Sequence, residues 1–271
     1  MQKYSYADYE ICDSHAHIFP AKISLKATES IGNFYDLPMR GINGCAQSLL
    51  ESGREIGVKK YLVCSSATTP AQVHAINDFI SQECEMHPEF YGFGTLHPDM
   101  EDITGEVERI ITLGLHGIKL HPDFQKFNID SPEAYKMYEA LEGRLPILFH
   151  SGDNRYDFSR PTRIARVSKD FPRLISIAAH LGGYQSWGEA SECLKGLPNV
   201  YVDCSSAISL IPIEYSRRLI ALYGAEKCMF GCDFPMWRHA PELERFFELG
   251  LTDEENRRIL SGTFRELFDI Q

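Results

Sequence analysis

Nothing in the 271 residues approaches the roughly 18 to 20 consecutive apolar side chains of a membrane-spanning helix. The opening stretch MQKYSYADYEIC has no apolar core of the kind a secretory signal needs, so neither anchoring nor export is expected. Cations are the minority: 27 Lys and Arg stand against 38 Asp and Glu, a formal charge of −11. A phosphate-binding face normally needs clustered Lys and Arg, so no nucleic-acid partner is expected. Eight cysteines are present without a C-x-x-C pair, and Cys12, Cys64, Cys204, Cys228 and Cys232 lie in or beside apolar, strand-like runs. They read as reduced, buried thiols, which points to the cytoplasm. No Ser/Gly-rich linker, low-complexity tract or repeat divides the chain, and the first apolar run is not followed by a G-x-G-x-x-G turn.

What is present is an alternation. Short β-branched runs predict strands near residues 9–16, 60–65, 91–96, 115–120, 145–149, 174–179, 199–204 and 228–232. Between them, NGCAQSLLESGREIG, PAQVHAINDFISQECEMH, SPEAYKMYEALEG and PTRIARVSKDF carry apolar residues three and four apart behind Pro, Ser or Asn start signals. Eight strands, each followed by a helix, predict a single-domain α/β protein, a (β/α)₈ barrel over residues 1–271, with a doubly wound sheet as the weaker alternative. The one long connection, residues 18–40, reads as an active-site loop, and LTDEENRRILSGTFRELF as helices closing the barrel behind a Thr cap.

In such a barrel the chemistry sits where strands end. The first strand ends in DSHAH, where a period of two puts Asp13, His15 and His17 on one side. The fourth ends in Lys119 and His121 (GIKLHP), the fifth in His150 (FHSGD), the sixth in His180 (AHLGG) and the eighth in Asp233 (GCDFP). Any one of these has an ordinary explanation, a solvated imidazole or an Asp helix cap. Four imidazoles and a carboxylate at the carboxyl ends of strands 1, 5, 6 and 8 together indicate a divalent metal site. Neutral imidazole plus one carboxylate suits zinc, with Fe²⁺, Mn²⁺ or Co²⁺ as alternatives.

In this order, DSHAH, GIKLHP, FHSGD, AHLGG, GCDFP and the closing LTDEENRRILSGTFRELF resemble the amidohydrolase superfamily. In detail they resemble its amidohydrolase-2 branch, which includes aminocarboxymuconate-semialdehyde decarboxylase, resorcylate decarboxylases and several lactone-opening or hydratase enzymes of aromatic acid breakdown. The tail departs at Thr263, where the family usually has Asn. The resemblance implies that His15, His17, His150 and Asp233 bind the ion. It implies that His180 either acts beside one ion or ligates a second. Lys119 would then carry a carbamate bridging two ions or face the substrate; one ion is the expected load, since the branch is mainly mononuclear.

The expected activity is metal-dependent hydrolysis of a small, carboxylated lactone, amide or ester, with Asp233, His180 and Lys119 catalytic. His121, Arg155 and Trp237 are the expected substrate contacts, Arg155 as a carboxylate clamp; Arg160 and His97 are weaker candidates. Non-oxidative decarboxylation is the alternative reaction, and a catalytically inactive small-molecule-binding barrel the alternative of another class. Beyond the substrate, the only partner expected is a second copy of the chain.

Overall fold

The computed structural model describes residues 8–270, so Met1 to Ala7 and Gln271 of the expected domain lie outside the described residues. Among the described residues, nine strand segments build the frame: β1 (Cys12–His17), β2 (Lys60–Cys64), β3 (Phe90–Gly92), β4 (Gly94–Thr95), β5 (Ile118–Leu120), β6 (Ile147–Phe149), β7 (Ser176–Ala178), β8 (Val200–Asp203) and β9 (Cys228–Met229). All neighbouring pairs are parallel, in the order β1-β2-β3 and β4-β5-β6-β7-β8-β9.

The expected third strand is thus two pieces, and it still serves both sides. Phe93 N–H donates to Val63 O at 2.9 Å and Gly94 N–H to Gly117 O at 2.9 Å. The break falls at Phe93, whose ring covers Gly117 so closely that a Cβ there would lie 2.4 Å from it. The other seam closes through Ser14 N–H to Phe230 O, Asp233 N–H to His15 O and His17 N–H to Phe234 O, at 2.9, 2.7 and 2.7 Å. The two sheets are therefore one closed barrel, and the fold expected from the alternation is the fold observed.

Helices at residues 46–54, 73–86, 132–141 and 161–170 arise where their amphipathic patterns predict. The connection after β1 is not a bare loop: it contains a helix, Ser24–Tyr35. At the other end Thr252 is the expected cap, and Glu255 completes a capping box with it. Inward-pointing Cys12, Leu62, Phe93, Leu148, Ile177 and Met229 fill the barrel, and Phe264 and Phe268 pack on that cluster. Arg265 donates to Glu10, just before β1, so the closing helices sit at the strands' amino ends and leave the carboxyl ends to the site. No described helix is long and apolar enough to cross a membrane.

Candidate metal centre and cavity

His15 and His17 come off β1 with their Nε2 atoms 3.2 Å apart. Asp233, on the loop after β9, places Oδ1 3.6 Å from the first and 3.5 Å from the second. Two buried imidazole nitrogens and a carboxylate oxygen converging on one point need a positive charge among them. The hydrogen bonding supports that. Asp203 Oδ2, which can only accept, lies 3.1 Å from His15 Nδ1; this fixes the ring proton on Nδ1 and leaves the Nε2 lone pair facing the cluster. Lys119 Nζ donates to that lone pair at 3.0 Å.

The electrostatics agree. Burial, with Lys119 next, holds His15 well below the ordinary imidazole value. His17 moves the other way, raised to about 9, because Cys64 and Asp233 outweigh its burial. Burial also works against Asp233, yet the His15, His17 and His180 rings hold its carboxyl well below the usual range. A place where a carboxylate draws a proton onto a neighbouring imidazole is a place a divalent cation can take over, so these three donors fit a metal ion. A second convergence joins His15, His180 and Asp203. Here Asp203 is already committed: Oδ1 accepts from the backbone N–H groups of His180 and Ser205 at 3.0 and 3.1 Å, and from the Ser205 hydroxyl at 2.5 Å. Its part is to orient two imidazole-bearing strand ends.

His150 stands outside both convergences. Its Nδ1 meets His180 Nε2 at 3.1 Å, its Nε2 meets the Tyr35 hydroxyl at 3.3 Å, and its ring stacks on His121 with centroids 4.0 Å apart. Tyr35 also reaches His121 Nε2, at 2.8 Å. Because His121 Nδ1 accepts the Phe124 N–H at 3.3 Å, its Nε2 carries the proton and donates to the Tyr35 oxygen. Burial and the neighbouring imidazoles hold His121 and His150 well below their ordinary values.

Other expected residues are placed differently. The period-of-two reading of Asp13 fails, because the β1–β2 register shifts between Asp13 and Ala16; the carboxylate bonds His239 instead, at 2.9 Å. Arg155 is no free clamp: both Asp153 oxygens hold it, its guanidinium donates to Phe34 O, and it stacks on the Phe34 ring at 4.5 Å. Trp237 acts at one remove, its indole N–H donating to Ser206 Oγ at 2.9 Å, which in turn donates to Asp233 Oδ2 at 2.6 Å. Arg160 pairs with Glu189, and His97 accepts the N–H of Asp99 within its own turn.

Above the convergence opens a cavity of about 290 Å³. Its floor is His17, His150, His180 and Asp233, and its walls are mainly apolar, with Phe19, Ile31, Phe34, Phe124 and Met236 among them; no Lys or Arg is among its described lining residues. His180, Ser206 and Asp233 all hold positive φ, at 61°, 57° and 60°. Three non-glycine residues in that sparsely populated region at one strand-end cluster are strain of the kind found at functional sites. Asp203 is a strand-end carboxylate, VYVDCSS, that the strand-end rule also covers; Tyr35 comes from the expected active-site connection 18–40, on a helix not expected there.

Residues 12–270 match the family model described as Amidohydrolase. No curated protein matches the chain. Solved structures do match over nearly full length. An uncharacterized TIM-barrel protein from Bordetella bronchiseptica is 16% identical with a TM-score of 0.78, over 96% of this chain and 99% of that one. A dihydroxybenzoic acid decarboxylase from Polaromonas sp. JS666, with bound manganese and 2-nitroresorcinol, is 14% identical with a TM-score of 0.74, over 97% of both chains. A putative 2-pyrone-4,6-dicarboxylic acid hydrolase from Pseudomonas putida is 19% identical with a TM-score of 0.70, over 97% of this chain and 98% of that one.

Proposed function

The chain belongs to the amidohydrolase family, and from that premise we propose that it is a metal-dependent hydrolase of a small, carboxylated lactone, amide or ester. The observation that carries this reading is the convergence of His15, His17 and Asp233 on one point at the floor of a largely apolar cavity. These three would hold the ion, with His150 as the further ligand that the resemblance implies. Zinc suits the donor set, and manganese is the alternative suggested by the manganese-bound neighbour. When bound, the cation would polarise a substrate carbonyl and lower the pKa of a water molecule.

The chain's own groups are arranged for the proton transfers. Asp233 has Oδ2 fixed by Ser206, which aims Oδ1 at the cation position, and the Oδ1 lone pair not given to the ion would take a proton from the attacking water. His180 has Nδ1 within 3.0 Å of the Ser205 carbonyl, which places its proton there and leaves the Nε2 lone pair to take up the proton removed from the water and relay it to the leaving group. Lys119 is fully buried against His15, so its contribution is charge at the ligand rather than contact with substrate in the cavity. A substrate carboxylate would be met by the cation, by His121 or by hydroxyls such as Ser66 and Thr68.

One observation favours the decarboxylase reading: the same apolar walls disfavour a carboxylate and favour its departure as CO₂. Elemental mass spectrometry on protein purified without chelators, followed by product analysis on lactones, amides and aromatic acids, decides. About one ion per chain with ring opening or amide cleavage supports the hydrolase. CO₂ release replaces it with the decarboxylase, and a chain that takes up no metal points to a binding barrel.

A further inference from the structure

We propose that Asp13 is a positioning residue for the cation site, acting through a buried Asp13–His239–Ser52 brace; this rests on the metal reading above. The three side chains come from β1, from the start of the helix His239–Phe247 and from the helix Ala46–Arg54, and all three are fully buried.

The bonds are mutually consistent. Asp13 Oδ1 accepts the backbone N–H of His15 at 3.0 Å and that of Cys232 at 2.9 Å. Its Oδ2 lies 2.9 Å from His239 Nε2, which must therefore be the donor. His239 Nδ1 then accepts the Ser52 hydroxyl at 2.9 Å, while Ser52 Oγ accepts the backbone N–H of His239 at 3.2 Å.

The placement of the two N–H groups gives the brace its consequence. One belongs to His15 itself and the other to the residue before Asp233, so a single carboxylate oxygen ties together the two backbone segments that deliver the converging ligands. Seam bonds from Asp233 N–H to His15 O and from His17 N–H to Phe234 O, both 2.7 Å, join the same segments, and the Asp13 carboxylate adds a side-chain tie beside them. β1 and the loop after β9 share one isolated bridge, Ala16 with Phe234, and the β1–β2 ladder is irregular between Asp13 and Ala16. Gly231 lets the loop close in, since a Cβ there would lie 3.2 Å from the His15 Cβ. Ligand spacing at a metal site tolerates only small errors, so whatever fixes these two backbones fixes affinity and coordination geometry. Ser52 and His239 touch no ligand and act only by holding Asp13 in place.

The test is cation affinity, measured by competition with a chromogenic chelator, together with the visible absorption of the cobalt-loaded protein and the melting temperature of the metal-free protein. Asp13→Ala is expected to weaken zinc or manganese binding at least tenfold and to alter the cobalt bands; Asp13→Asn, which keeps an amide oxygen for the two N–H groups, recovers part of the loss. An Asp13→Ala protein that melts lower but binds cations with wild-type affinity and spectrum overturns the proposal, because a merely structural residue moves only the melting temperature. Should Asp13→Ala fail to fold, Ser52→Ala decides: threefold or greater weakening with altered cobalt bands supports the brace, and unchanged values overturn it. Wild-type protein that takes up no cation overturns both the brace and the metal reading, whereas wild-type uptake with indifferent variants overturns the brace alone.

Discussion

Asp203 Oδ2 lies 3.1 Å from His15 Nδ1, and neither side chain has any solvent exposure. That contact decides which nitrogen of His15 faces the cation site. Asp203→Asn keeps the size but can present an amide N–H to Nδ1, which moves the ring proton to Nε2 and blocks the lone pair. Loss of such an orienting carboxylate typically costs about 10- to 100-fold in metal affinity. Chelator competition on Asp203→Asn is expected to fall in that range; wild-type affinity would show that His15 does not ligate through Nε2.

Tyr35 bridges His121 and His150 at 2.8 and 3.3 Å from the helix within the connection 18–40 that the sequence marks as an active-site loop. Tyr35→Phe keeps the ring packed against Phe34 and Tyr184 and removes only the hydroxyl. On a substrate found by the panel above, kcat/KM is expected to fall by about tenfold, equivalent to about 1.4 kcal/mol, the size of one good hydrogen bond. An unchanged kcat/KM would reduce Tyr35 to wall packing.

Glu242 is buried with Oε1 accepting from Ser209 and Oε2 without a partner. Burial raises its pKa from the ordinary value near 4.5 to about 7, with Asp233 and Asp13 adding to the shift. The sign follows from linkage. The unfolded chain loses this proton near 4.5 and the folded one only near 7, so stability is full below the lower value and declines as pH rises between them. The decline is about 3 kcal/mol. Glu242→Gln, isosteric and uncharged, is expected to raise the melting temperature more at pH 8 than at pH 5; an equal effect at both would refute the buried-proton account.

All eight cysteines are free, and five are buried. Burial raises the pKa of the Cys12 thiol to about 12 and pushes Cys204, Cys228 and Cys232 well above the ordinary thiol value, so they are poor nucleophiles as well as inaccessible. Titration of native protein with a thiol reagent is expected to label at most Cys45, Cys84 and Cys193, and all eight only after denaturation. Reducing agent should leave the melting temperature unchanged.

Much of this was legible along the chain because the barrel repeats a local rule. Each strand is a short apolar run that ends where its polar residue begins, so His15, His17, His150, His180 and Asp233 announce themselves at strand ends before any contact is known. The amphipathic helices at 73–86 and 132–141 are legible for the same reason, since their periodicity is a property of neighbouring residues. The third strand was harder: its interruption at Phe93 depends on where that ring lands, over Gly117 on the next strand.

The amino-acid sequence by itself determined the barrel, its family and the set of histidines and carboxylates at one end, since these follow from local pattern and motif order. The tertiary structure decided which of them meet. A register irregularity in β1 turned Asp13 away from His15 and His17 and into a brace with His239 and Ser52. Distant segments closed Asp203 onto His15 and Tyr35 onto His121, and local charge pairing fixed Arg155 on Asp153. Side-chain direction in a closed barrel is fixed by packing and by satisfying each buried polar group, and those constraints join residues far apart in the chain, 226 positions for Asp13 and His239.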